Sequence, residues 1–523
     1  MRAADLHRQS FDVLVVGGGI IGAGVARDAA RRGLSVALFE QGDFGGGTTA
    51  GSTRLIHGGL RYLEMLDFGL VRLDLREREI LLRIAPHLVT PLRFLLPFYQ
   101  QSAFTRLKMR AGMWLYDVLS YDRSLAGHTM LSRADALDAE PRLVPDGLQG
   151  AASYSDAQAS LPERLCLENI IDAQAHGGMA CNYARVVGCV TRDGRVAGLR
   201  VNDLIAQREI EVNGRVVVNA SGPWFDRVAG VLSRPSRRIR TTKGIHLACP
   251  NPPATALALP SALDGRLVFF LPWLGYAWIG TTDLDFEGDP ANVRATQAEI
   301  EYLCASVAPF VGEPGPVCFT NAGVRALVRE DGLESSVSRA HQVVAEHEPV
   351  GLISVLGGKL TGFRAIADEV TNRVCRLLEV TTRTTTDSEP LPGAVGADDV
   401  LEAPDGASPS LVEHLRSLLG GRARDVLALA RDHDALAIPL CDDAPDIAAQ
   451  VVFAVRQESC ERVADFLFRR SRLAFTDHRG RGAIARVASL MREELGWSDS
   501  RLVEEMAMAR AAIDATDPAR AYR

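Results

Sequence analysis

The sequence predicts an α/β protein: a Rossmann-like dinucleotide-binding domain carrying an inserted antiparallel substrate sheet, followed by an all-α C-terminal domain. Three observations predict it. Gly17, Gly19 and Gly22 stand in G-x-G-x-x-G spacing near the start. Strand-like runs around Asp-Gly and Asn-Gly pairs occupy the middle. A stretch rich in Pro, Gly and acidic residues then gives way to apolar residues at helical spacing. At 523 residues the chain is too long for one core.

The first element is the apolar run Phe11–Val16, suited to a buried parallel strand. The glycine turn follows, then a helical stretch to Arg32, with Gly33 where a left-handed cap belongs. A second apolar run, Ser35–Phe39, ends in Glu40. This is a βαβ unit whose acidic residue follows the last motif glycine by about twenty positions. Gly17 permits the tight turn, Gly19 lets the backbone approach a diphosphate, and Gly22 lets helix and strand close up. The helix N-terminus then faces the anion, and Glu40 accepts hydrogen bonds from ribose hydroxyls.

The fingerprint alone does not separate NAD from FAD. After Glu40 no second regular α/β repeat begins. Instead comes the small-residue segment Gly45–Thr53, able to wrap a bulky buried cofactor. Further apolar runs recur much later, at Arg215–Ala220 before Ser221-Gly222-Pro223 and at Leu352–Leu356 before Gly357-Gly358-Lys359. A nucleotide fold interrupted and resumed in this way is the layout of two-domain flavoproteins, so FAD is the expected cofactor.

Residues 1–70, 150–235 and 320–385 are expected to build the FAD domain, with 71–149 and 236–319 inserted as the substrate cap, within one oxidoreductase region, 1–385. Asp193-Gly194 and Asn213-Gly214 are read as hairpin turns supporting the inserted sheet, and Trp273-Leu274-Gly275 as a turn between two further strands. Residues 386–410 read as a linker. A helical domain, 411–523, follows. Ile447, Val451 and Val455 recur every four residues, Gly496 offers a stop, and Ser498 a fresh start.

A net charge of −7 gives no nucleic-acid signal, and no nucleic-acid partner is expected. Nine cysteines, odd in number and without a C-x-x-C pair, read as reduced thiols of a cytoplasmic protein, and no metal is expected. No secretory leader or spanning segment is read.

Five collinear motifs resemble the FAD-dependent, quinone-reducing glycerol-3-phosphate dehydrogenases: RLIHGGLRYLE at Arg54–Glu64, TTKGIH at Thr241–His246, FFLPWLGYAWIGTTD at Phe269–Asp283, AGVRAL at Ala322–Leu327 and LGGKLTGFR at Leu356–Arg364. The chain departs from the family pattern at Ile21 (usually Asn), Ala326 (Pro), Gly362 (Thr) and Phe363 (Tyr). The resemblance implies oxidation of sn-glycerol 3-phosphate to dihydroxyacetone phosphate, with electrons passed on to quinone. It implies cofactor contacts from Thr48, Thr49, Ser52, His57, Gly222, Gly358, Lys359, Leu360 and Thr361 besides Gly17, Gly19, Gly22 and Glu40. It also implies peripheral contact with the inner face of the cell membrane.

Such chemistry requires a base for the hydroxyl proton, a hydride acceptor, and cations for the phosphate. His246 is the first candidate for the base, with His57 its rival. Lys359 is read as polarising the substrate or stabilising reduced flavin. Arg61, Arg325 and Arg339, with Tyr62, are the candidate phosphate clamp, since three converging arginines imply a resident anion; Arg364 is a weaker addition. Asp283 is read as orienting a neighbour or stabilising a turn. The segment 91–121 sets Phe94, Phe98, Phe104, Trp114 and Tyr116 among Arg93, Arg106, Lys108 and Arg110, as an interfacial helix would or as a helix pair packed on the FAD domain would. Another polyol phosphate, such as a tetritol phosphate, is the alternative substrate. A non-catalytic FAD-binding protein, possessing the fold without the turnover, is the alternative of a different class. A homodimer is the assembly considered.

Overall fold

Phe11–Val16 lies in the strand Ser10–Val16, at the centre of a parallel sheet whose inner strands are buried on both faces. The computed structural model describes residues 2–59, 65–100, 102–329 and 341–521. In this first sheet the order is Gln342–Ala345, Leu352–Leu356, Arg208–Asn219, Ser10–Val16, Val36–Phe39 and Met179–Cys181. All of these neighbours are parallel except Gln342–Ala345 on its edge.

The order of connection reverses across the central strand. The helix Ile20–Arg31 carries the chain to Val36–Phe39 on one side, while Arg208–Asn219 lies on the other. The carboxyl end of Ser10–Val16 is therefore the switch point, where such sheets open a crevice. The helix ends as its sequence suggests, with Gly33 at φ 79°. Gly24 brings the helix Phe363–Leu378 close, since a Cβ there would stand 3.0 Å from the Phe363 ring.

The Asp193-Gly194 turn forms as expected, with φ 50° and 72°. Its hairpin, Ala184–Arg192 with Arg195–Asp203, extends this first sheet, however, and not the inserted one. The Asn213-Gly214 turn does not form. Both residues run straight through the strand Arg208–Asn219, and the chain reverses instead at 204–207. Pairing overrides the local turn signal: Asn213 and Gly214 align with Ser10 and Phe11, and a Cβ on Gly214 would meet Leu14 at 2.5 Å.

A second sheet has the order Leu284–Asp285, Ile239–Cys249, Tyr276–Gly280, Leu267–Trp273, Ala256–Pro260, Val89–Tyr99, Leu148–Ala159 and Leu55–Ile56, with Phe319–Val328 also on Ile239–Cys249. Its pairs are antiparallel apart from Ala256–Pro260 on Val89–Tyr99. Leu274-Gly275 makes the two-residue turn between Leu267–Trp273 and Tyr276–Gly280.

The C-terminal part is helical. Pro409–Leu419, Ala423–Asp432, Ala448–Gln457, Ile484–Leu495 and Asp499–Asp514 enclose cores of their own. Gly496 caps one helix at φ 67°, and the Ser498 hydroxyl accepts from the Arg501 amide at the start of the next. Buried ion pairs dock this unit. Asp43 accepts from Arg469 and Arg470, and Arg164 is bidentate to Glu458 at 2.6 and 2.9 Å. Burial alone would raise the Asp43 carboxyl, but Arg470 and Arg469 hold it well below the usual range.

Candidate active site

The crevice is built from the glycine turn outward. Gly17 adopts φ 106°, and a Cβ on it would stand 2.7 Å from the Ala220 carbonyl oxygen. A Cβ on Gly22 would stand only 1.9 Å from the Gly17 oxygen, so strand and helix meet without room for a methyl group. Gly19 begins the helix, where the first-turn amides have no intrahelical acceptor. Glu40 receives the Gly18 amide at 2.7 Å and the Gly42 amide at 2.8 Å. Both bonds fix its carboxylate at the edge of the turn and leave lone pairs for a ribose. Gly222, at φ 55°, follows the neighbouring strand. This cradle fits the diphosphate of a dinucleotide. Ile21 packs toward Gly358, whose Cβ would meet the Ile21 side chain at 2.7 Å.

The segment after Glu40 bridges the two sheets. The Thr49 hydroxyl accepts from the Ile20 amide at 3.1 Å, on the cradle side. The Thr48 hydroxyl donates to the Val324 carbonyl, and Asn321 donates to the Ala50 carbonyl at 2.8 Å, on the second-sheet side. Ser52 turns inward, donating to the Thr49 carbonyl at 2.9 Å. Gly51 crosses Gly323 so closely that a Cβ on it would lie 2.5 Å from the Gly323 Cα. The loop Gly357–Gly362 closes over the first turn of the glycine helix. Gly357 and Gly358 turn at φ 70° and 112°, Leu360 is half-buried, and Thr361 accepts from the His57 amide at 3.1 Å. The His57 ring meets Phe269 edge-on at 6.1 Å.

The opposite wall carries His246, on the strand Ile239–Cys249. The ring is fully buried, stacked on Trp278 at 5.2 Å, with Nε2 3.0 Å from the Thr53 hydroxyl. Burial, and after it the Arg325 and Arg54 charges, push its pKa well below the ordinary histidine value, so the imidazole is neutral at pH 7. Nδ1 has no hydrogen-bond partner among the described residues. Arg54 stabilises this wall: its guanidinium is bidentate to Glu163 at 2.9 and 3.0 Å and lies 4.7 Å over the Trp273 ring.

Arg325, on Phe319–Val328, donates to Asp283 at 2.9 Å and to the Thr281 hydroxyl at 2.8 Å, so Asp283 does orient a neighbour. Lys359 forms an ion pair with Asp74, from the helix Phe68–Ile84. Arg364 is buried against Glu77, at 2.6 and 2.8 Å, and is a scaffold residue. The structure thus gathers Gly17, Gly19, Gly22, Glu40, Thr48, Thr49, Ser52, His57, Gly222, Gly358, Lys359, Leu360 and Thr361 around the switch-point crevice, with His246 and Arg325 on the facing wall. Arg61, Tyr62 and Arg339 lie outside the described residues. Sequence reasoning missed Thr53 and Asp74. Thr53 is the last residue of the small-residue run, and that position was its one available signal.

A family described as FAD dependent oxidoreductase matches residues 12–366, and one described as the C-terminal domain of alpha-glycerophosphate oxidase matches residues 384–502. A glycerol-3-phosphate dehydrogenase of Synechocystis is 38% identical, over 95% of each chain. One from Mycobacterium leprae is 34% identical, over 98% of this chain and 90% of that one. The solved structure of glycerol-3-phosphate dehydrogenase from Bacillus halodurans, complexed with FAD, superposes with a TM-score of 0.78 at 27% identity, covering 98% of this chain and 97% of that one. The chain therefore belongs to the FAD-dependent oxidoreductases, in the glycerol-3-phosphate dehydrogenase family.

Proposed function

We propose that the protein oxidises sn-glycerol 3-phosphate to dihydroxyacetone phosphate and passes the electrons to quinone. The observation that carries this reading is that the segment bonded to the glycine helix through Thr49 also meets the neutral His246 through Thr53 and the strand of Arg325 through Thr48, in a chain 38% identical to a relative named glycerol-3-phosphate dehydrogenase. Bound FAD supplies the hydride acceptor at its ring N5. The residues supply the rest. His246, kept neutral by burial, accepts the proton of the substrate hydroxyl. Thr53, half-buried where His246 is fully buried, is the accessible end of their hydrogen bond and relays the proton to Nε2. Arg325, with Arg61 and Arg339, binds the phosphate oxygens in pairs. Lys359 counters negative charge on the flavin side.

Electron exit is proposed at a membrane surface. Within the helix Ala103–Leu119, Phe104 is 77% and Trp114 63% exposed, beside exposed Leu107, Val118, Arg106, Lys108 and Arg110. Phe94, Phe98 and Tyr116 from the same segment are buried in the second-sheet core instead. No helix among the described residues is long and apolar enough to cross a membrane. Peripheral seating of this helix in the headgroup layer accounts for its apolar and basic surface together.

Stopped-flow mixing with glycerol 3-phosphate tests the reading. Bleaching of the bound flavin is expected, and none at saturating substrate refutes it. A panel of sugar-alcohol phosphates separates glycerol from tetritol substrates, and a peroxide assay separates quinone from oxygen as acceptor.

A further inference from the structure

We infer that Asp74 is a positioning residue, holding the Lys359 ammonium at the crevice and setting how strongly that charge acts on the flavin. The inference rests on the reading that FAD occupies the crevice beside the loop Gly357–Gly362. Asp74 projects from the helix Phe68–Ile84, with its side chain 1% exposed. One carboxylate oxygen pairs with Lys359; the other is buried without a partner among the described residues. A Cβ on Gly362 would lie 3.4 Å from that second oxygen.

Docking of the helix does not need this contact. Glu77 already binds Arg364 at 2.6 Å, and Arg78 binds Asp156 at 2.7 Å, both buried. Burial raises the Asp74 carboxyl above the usual range, and the Lys359 ammonium beside it pulls the other way. The pair is thus a charge regulator: the carboxylate offsets part of the lysine's charge beside the reduced, anionic flavin.

The test uses the FAD-loaded full chain. Asp74→Asn removes this counter-charge from the ammonium. Sulfite, which adds to the flavin and leaves it anionic, is expected to bind about tenfold tighter, and the two-electron potential to rise by ~30 mV, the equivalent of tenfold. In a Lys359→Met background the same substitution is expected to move neither quantity, because Asp74 acts through the lysine. Unchanged sulfite affinity and potential in Asp74→Asn overturn the inference, as does an equal shift in the Lys359→Met background. Should Asp74→Asn not fold with FAD, Asp74→Ala carries the same expectations. Neither readout involves a polyol phosphate, so failure here is distinct from failure of bleaching by glycerol 3-phosphate.

Discussion

Removing the charge of Asp43 tests whether the helical unit clamps the cofactor loop. Asp43 follows Glu40 by three residues and is buried against Arg469, Arg470 and Asn182, the last at 2.9 Å. Asp43→Asn keeps the shape and removes the counter-charge of two guanidinium groups. Arg469 retains Asp465 at 2.6 Å and Arg470 retains the Glu458 carbonyl at 2.8 Å, which moderates the loss. Breaking a buried pair costs about 3–5 kcal/mol, and the remaining partners place this case near ~3 kcal/mol. At about 2 °C per kcal/mol, the scaling for large domains, the midpoint of thermal flavin release falls by ~6 °C. Flavin fluorescence, quenched in the holoprotein and recovered on release, reads it directly, with circular dichroism run in parallel because a chain of this size is not expected to unfold in two states. A release midpoint within about 1 °C of the parent would show that these pairs do not hold the loop, and would refute the clamp.

Gly22→Ala places a methyl 1.9 Å from the Gly17 oxygen, so the helix must back away from the strand; purified protein is expected to lose most of its FAD, measured by the ratio of flavin to protein absorbance. Glu458 is held at about 2 by Arg164 and Arg422, which overcome its burial, so its stabilisation is complete above pH 4.5 and lost as pH falls from there toward 2. Glu458→Gln should flatten that acid limb in unfolding midpoints measured across pH, and an unchanged slope would contradict the assignment. Phe104→Ser and Trp114→Ser should each weaken sedimentation with anionic vesicles by about tenfold, the worth of one large apolar side chain, while leaving flavin bleaching by substrate intact.

Local signals were legible and long-range ones were not. The glycine turn, the Gly33 and Gly496 caps and the Ser498 start each depend on a few neighbouring residues, and each appears as read. Asn213-Gly214 carried an equally strong local signal and failed, because a strand flanked by Ser10–Val16 holds its backbone extended. Hydrogen bonds spanning 285 residues, as for Asp74 with Lys359, or 427, as for Asp43 with Arg470, have no trace in local spacing. Thr53 went unnoticed for a different reason: a threonine beside an expected cofactor segment looks the same whether it faces the ligand or the base. The exposed and buried halves of 91–121 could not be sorted either, since Phe94 and Phe104 differ only in what the fold places over them.

The crossing of Gly51 and Gly323 has a mechanical meaning. Two backbones in contact, without a methyl between them, leave no slack for one wall of the cleft to slide along the other. Both positions are closed to any side chain, since a Cβ on Gly323 would in turn meet the Gly51 oxygen at 2.7 Å, and the bridging segment keeps its seat on the second sheet only while both stay glycine.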